Sequence, residues 1–328
     1  MTPAQAIVSS LVSISETGLP LYALIDPLAG EPLPIAYDDL AQSNSLQAAR
    51  MVAWQRSTHI IELPASVKLP KHLHPYLVAL DGPDDPTLIT TVEWAEEEFS
   101  QATEGGLSSN GGGPHRVGGW IQSSMNPHDL AAHLSLMMRV STDAITDAKY
   151  QRLADRRALD WLRQVIGDQR LTGMMGRVQC WHYLTPCGEL SSLQSTAEVP
   201  TQIRLNSKEW QAFMRGPLLH SVVARWLSVA QEDEKLPALK QRFNGPSLYQ
   251  RADTALALTS QAVARWPDRF RSPADQTTWA LLSMLHHSLA QISAVAALLD
   301  SPTEADEPVE TIEALASTLH DICLNTKS

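Results

Sequence analysis

Cysteine is scarce in this chain: 328 residues contain only Cys180, Cys187 and Cys323, too few for a disulfide framework at this length. The first two are seven positions apart, too wide for a CxxC redox or zinc pair. Reduced, bystander thiols are the reading, consistent with a cytoplasmic address. Basic residues are also few, with 25 Lys and Arg against 36 Asp and Glu and a formal charge of −11. That deficit argues against a sequence-independent nucleic-acid binder, which needs clustered cations for phosphate contacts. No uncharged apolar run approaches the ~20 residues that span a bilayer. The N-terminus has no positive stretch ahead of its apolar run and Glu16 arrives early, so no signal peptide is expected. Catalytic signatures are missing too: there is no GxSxG elbow, no GxGxxG and no phosphate loop ending in Gly-Lys-Ser/Thr. The glycine-rich stretch at 103–113 leads into a strand rather than a helix N-terminus, and it reads as a flexible surface loop.

What is present is an ordinary globular composition, 44% hydrophobic and 19% charged, in a chain long enough for two domains. Apolar strands are expected at 19–26, 58–63, 74–81, 117–124, 150–155 and 178–184. Between them lie helical patterns at 3–13, 45–54, 87–101 and 158–167. A further helix follows Asn126, which can cap it, with Pro127 at the first helical position and Leu130, Leu134, Met137 and Met138 as its buried stripe. Strands alternating with helices imply an α/β lobe, a mixed sheet covered by helices, over residues 1–200. From Asn206 the periodicity becomes helical. Asn206 with Glu209 repeats the capping logic for a helix through Val229, and further helices are expected at 248–266, 272–299 and 309–324. Residues 201–328 are therefore expected to form an all-α lobe.

Candidate chemistry is thin. His72 with His74, and Cys180 with His182, share a strand face but give only two ligands each, so no metal site is expected. Trp181 then points to the opposite face, into the core. The acidic run Glu96, Glu97 and Glu98 reads as a solvated face, as does the cluster Glu304, Asp306, Glu307 and Glu310. Asp155, Arg156 and Arg157 fall where a strand hands over to a helix. Asp155 can cap that helix, and the arginines can pair with it, fork another carboxylate, or face a partner. Trp210, Trp226, Trp266 and Trp279 lie in the helical part, as core or as anchors for a partner.

An ordered series of motifs carries a resemblance. YALID (residues 22–26), PYLV (75–78), a helix with Trp94, GGWIQSS (118–124), LAAHL (130–134), RLADRRALDWL (152–162), then Gly176, Trp181 and Tyr183 resemble the type VI secretion adaptor family, the Tap/Tec-type effector chaperones. The similarity covers about residues 19–186. In that family the Asp-Arg stretch usually reads Asp-Pro-Arg, and here Arg156 replaces the proline. The resemblance implies a non-enzymatic cytoplasmic adaptor that binds a toxic effector and hands it to the VgrG spike, with no cofactor. Under that reading Arg156, Arg157, Trp210 and Trp226 are the partner-binding candidates, while His133, Asp155 and Trp181 are structural. Two other readings stand beside it: an enzyme whose site is assembled in space around His133, Asp155 and Arg156, and a self-assembling part of a secretion machine.

Overall fold

The computed structural model describes residues 2–35, 43–82, 84–108, 113–142, 149–196, 203–232, 246–286, 289–301 and 309–326. The chain forms two compact units, one of Met1–Gln101 with Gly113–Met214, the other of Ala102–Gly112 with Arg215–Ser328. The first is built on strands and helices and the second, among its described residues, on helices alone, as the alternating and then helical periodicity implies. The boundary expected after residue 200 lies outside the described residues, and the first unit runs on to Met214. No described helix is long and apolar enough to cross a membrane.

The first unit runs α1 (Pro3–Ile14), β1 (Leu21–Ile25), α2 (Ser43–Trp54), β2 (Thr58–Ile60), β3 (Tyr76–Leu80), α3 (Pro86–Ala102) and β4 (Val117–Ser123). It continues with α4 (Pro127–Met137), β5 (Arg139–Thr142), β6 (Lys149–Tyr150), α5 (Arg156–Ile166), α6 (Asp168–Met174), β7 (Val178–Leu184), β8 (Leu190–Gln194), β9 (Ile203–Leu205) and α7 (Ser207–Met214). Six strands form one sheet in the order β2-β3-β1-β4-β7-β8, every neighbouring pair antiparallel. A small second sheet, β6-β5-β9, holds the parallel pair, β5 with β9.

All five residues of β1 are buried. Leu21, Ala23 and Ile25, with Tyr76 and Val78 of β3, pack against Val8 and Leu11 of α1 and Leu88, Val92 and Ala95 of α3. Alternate side chains point to the other face, and these are buried as well. A strand covered on both sides has no reason to alternate with polar residues, which is why residues 21–25 read as an unbroken apolar run. Local capping is as the sequence implies: Asn126 accepts from Asp129 N at 2.9 Å, and Asn206 accepts from Glu209 N at 2.9 Å while Glu209 reaches back to Asn206 N.

The second unit contains α8 (Gly216–Glu232), α9 (Pro246–Arg265), α10 (Pro273–Leu285), α11 (Ser293–Asp300) and α12 (Ala316–Thr326). Its core gathers Trp266, Trp279, Leu282, Val295, Leu299 and Leu319.

Several expectations are corrected. The helix expected from Asn206 through Val229 is two helices, interrupted at Arg215, since Pro217 lacks an N–H and its ring excludes the carbonyl four residues earlier. The helix expected over 272–299 ends at Leu285. There the buried His286 turns extended (φ −127°, ψ 110°) and its Nε2 meets His320 Nδ1 of α12 at 2.8 Å. Of the strand expected over 150–155 only Tyr150 is strand, with Lys149 before it, because Asp155 N bonds back to Arg152 O at 2.8 Å and closes a turn. The glycine-rich stretch is not a free loop where described. Gly106–Ser108 is a short 3-10 turn held by Ser228 of α8, whose Oγ accepts from Gly106 N at 2.6 Å, and by Arg225, which donates to Leu107 O at 3.1 Å. Residues 109–112 lie outside the described residues.

Candidate functional site

Charged side chains from separate stretches meet where β1 ends and β4 begins. Asp26, just past β1, accepts from Leu28 N at 3.0 Å and is ion-paired to Arg152 Nε. Arg152 also lies 3.6 Å from Asp155. Asp155 caps α5, accepting Arg157 N–H at 3.0 Å, and holds the Arg157 guanidinium with both carboxylate oxygens at 3.0 and 2.7 Å. Arg156 reaches different partners. Its Nη2 donates to Ala95 O of α3 at 2.7 Å and its Nη1 to Val117 O of β4 at 3.4 Å, with Glu98 Oε2 3.6 Å from Nη1. Glu98 in turn accepts from Arg116 N at 2.9 Å and Arg116 Nε at 3.1 Å.

Burial raises the carboxyl pKa of Asp26, opposed by Arg152, and that of Glu98, opposed by Arg156 and Arg116. Burial pushes Asp155 the same way, but the Arg157 guanidinium, with His115 and Arg152 nearby, outweighs it and holds that carboxyl well below the usual range. The network therefore ties α3, β4 and α5 to the end of β1. The glycines that open β4 make this approach possible. A Cβ on Gly118 would sit 2.4 Å from Ala154 O, and one on Gly119, at φ +131°, 2.2 Å from His182 O.

The residues singled out in sequence are distributed as follows. Asp155 is the helix cap. Arg156 and Trp226 are each 1% exposed, inside the first and second units respectively, so neither offers surface to a partner. Arg157 keeps 21% of its side chain exposed, and Trp210, on α7 of the first unit, is half-buried. Trp181 is buried on β7 and its indole N–H donates to Gly118 O at 3.3 Å. His133, buried on α4, donates from Nε2 to Met175 O at 2.8 Å. Among the described residues His133, Asp155 and Arg156 thus have separate hydrogen-bond partners.

The histidine pairs are tied down too. His74 accepts from Leu63 N at 3.2 Å through Nδ1 and donates to Leu69 O at 3.1 Å through Nε2, and burial lowers its pKa. His182 bonds Ser192 Oγ at 2.7 Å, and burial pushes its pKa down to about 4. His286 is buried, and His287 lies outside the described residues. No group of three or more His, Cys, Asp or Glu among the described residues is arranged to hold a metal ion.

Glu98 corrects the expectation that Glu96, Glu97 and Glu98 together form a solvated face. It is fully buried. The signal was present: Leu88, Val92 and Ala95 define the inner stripe of α3, and Glu98, three residues on from Ala95, continues it. Comparison of the chain with protein-family models, with curated proteins and with solved structures finds no match.

Proposed function

We propose that this chain is a cytoplasmic adaptor that binds a type VI secretion effector and helps to load it onto the VgrG spike. The reading comes from the ordered motifs, and one observation supports it: motifs scattered over residues 19–186 touch one another. The YALI of β1 pairs with β3, which holds the YLV of PYLV, and on its other edge with the GGWIQS of β4. β4 pairs with β7, where Trp181 stands opposite Ile121. Asp26 of the first motif is ion-paired to Arg152 of RLADRR, and Arg156 of that same motif binds the backbones of α3 and β4. The motif charges are spent on the chain's own backbone and carboxylates, as suits a rigid scaffold that displays a surface. The partners in this reading are proteins, the effector and VgrG, with no nucleic acid, membrane or cofactor involved. An interface on the order of 1,600 Å² in total is expected.

The test is purification of the tagged full-length chain from its native host. Effector and VgrG should co-purify, and loss of the chain should stop secretion of that effector. Recovery of neither protein overturns the reading.

A further inference from the structure

We infer that the open edge of β8 is a docking site for an extended segment of a partner protein, which adds to the six-stranded sheet as a further strand. β8 closes the order β2-β3-β1-β4-β7-β8 and has β7 as its one strand neighbour. Two bonds fix which way its main chain points: Ser195 N donates to Gln179 O at 2.9 Å and Thr185 N to Glu189 O at 2.8 Å. In the same register Ser191 and Leu193 turn their N–H and C=O groups toward β7, so Leu190, Ser192 and Gln194 turn theirs outward. Among the described residues those outward groups have no hydrogen-bond partner. The opposite edge is closed. There β2 has three residues, its outward Thr58 O accepts from Gln47 Nε2 at 2.8 Å, and Glu62 O just beyond accepts from Ser135 Oγ at 2.6 Å. β8, with the sequence LSSLQ, holds neither the charge nor the proline that guards an exposed edge.

The edge selects its occupant. Donors and acceptors that alternate at strand spacing are matched by an extended main chain and by little else. The open stretch is bounded by the turn at 185–189 and by Thr196, whose N–H donates to Thr172 O of α6 at 3.3 Å. Its five residues span about 17 Å at ~3.4 Å per residue. Two folded copies need about 20–30 residues a side for a stable interface, and each copy carries −11, so a second chain is a poor match. A linear segment needs only the edge. The same charge favours a segment with no net negative charge, and pairing favours Val, Ile, Thr or Tyr with no proline among the paired residues. β8 is also set before binding: Ser191 Oγ accepts from Arg163 Nη1, and Ser192 Oγ is bonded to His182 Nδ1 at 2.7 Å. An edge already ordered loses little entropy when it is paired. In the adaptor reading the segment belongs to the effector, but the hydrogen-bond argument stands without that reading.

The experiment selects ten-residue linear peptides from a phage-displayed library on the immobilised full-length chain and measures the winners by fluorescence anisotropy. Winners should share a β-branched, proline-free core without net negative charge. On binding, amide exchange should slow at least tenfold at Leu190, Ser192 and Gln194 and change little at Ser191 and Leu193, which β7 already holds. Methylating every second peptide amide should weaken binding at least tenfold in one phase and less than twofold in the other, a readout that does not depend on how a variant folds. Gln194→Pro removes one outward N–H, leaves the β7 ladder intact and should weaken binding at least tenfold. No enriched peptide, exchange slowed evenly along β8, equal loss from both methylation phases, or undiminished binding to a Gln194→Pro chain of native circular dichroism overturns the inference. So does a dimer seen by light scattering and lost in Gln194→Pro, which makes the edge a contact between copies. Peptide binding without effector or VgrG in the native-host purification sinks the adaptor reading alone, and the converse sinks the edge alone.

Discussion

Each unit buries an arginine that donates to main-chain carbonyls, Arg156 in the first and Arg225 in the second, and the two units balance that charge differently. In the first, Arg156 binds Ala95 O and Val117 O with the Glu98 carboxylate 3.6 Å away. In the second, Arg225 donates to Thr278 Oγ1 at 2.7 Å, Thr277 Oγ1 at 3.3 Å and Leu107 O at 3.1 Å, and Glu313 acts on it only through its charge. Both guanidiniums are nearly fully buried, and burial lowers the pKa of both. In each, Nε has no hydrogen-bond partner among the described residues. A buried ion pair makes its members depend on one another, because either charge left alone in the interior is costly. Hydroxyls and a carbonyl are neutral, so they lose only hydrogen bonds when the cation goes. The same side chain is thus a keystone in the sheet unit and a tie in the helical one.

Arg156→Met tests the keystone. It leaves Arg116 as the one described cation beside the buried Glu98 and takes a donor from Ala95 O and Val117 O, so it should destabilise the first unit by about 3–5 kcal/mol, read from urea unfolding of the full chain. Burial already raises the folded-state pKa of Glu98, so with one cation fewer the carboxyl takes up a proton more readily on acidification. The deficit of the variant should therefore shrink as pH falls from 7 toward the ordinary carboxylate range. A deficit equal at every pH means that Glu98 is not the counter-charge that matters.

The next largest effect is expected at His182. Its folded pKa is pushed down to about 4 against an ordinary 6.5, so the folded state prefers the neutral ring. The resulting stability is complete above pH 6.5 and falls as the pH drops toward 4, because the unfolded chain takes up the proton first. Across that window the loss amounts to about 3 kcal/mol. His182→Leu forgoes one bond to Ser192, and Nε2 has no partner among the described residues to lose. It should flatten the pH dependence of amide exchange in β7 and β8 while leaving α9 and α10 unchanged. A change of slope in the helices means that the two units do not respond separately.

What could be read in advance follows how local each cause is. β1 was legible because both of its faces are covered and its residues are all apolar, and the caps at Asn126, Asp155 and Asn206 were legible because each acts within three residues. β8, sequence LSSLQ, was missed. Its polar side chains become strand only by pairing with β7, and Ser192 serves His182. The end of α10 was missed because no glycine or proline marks it, and its cause, His320, lies 34 residues further on. The site divides the same way. Asp155 could be assigned as a cap, but the partners of Arg156 are 39 and 61 residues away, so its burial was invisible.

A smaller loss is expected for Arg225→Met, about 1–2 kcal/mol, from the carbonyl and hydroxyls that lose a donor. Hydrogen exchange should quicken at Gly106–Ser108 more than in the helices of that unit. A loss as large as that of Arg156→Met makes Glu313 a true counter-ion, and the contrast between the two arginines disappears.

The smallest effect isolates one bond of the same tie. Gly106 N donates to Ser228 Oγ at 2.6 Å in a buried setting. Ser228→Ala removes that acceptor with little change in volume, so about 1 kcal/mol of local stability is lost, a factor of about five in the opening equilibrium. The Gly106 amide should therefore exchange about fivefold faster while α8 keeps its protection. If this variant loosens the turn more than Arg225→Met does, the hydroxyl anchors it and the buried guanidinium is secondary, since a neutral acceptor would then do what the charge does not.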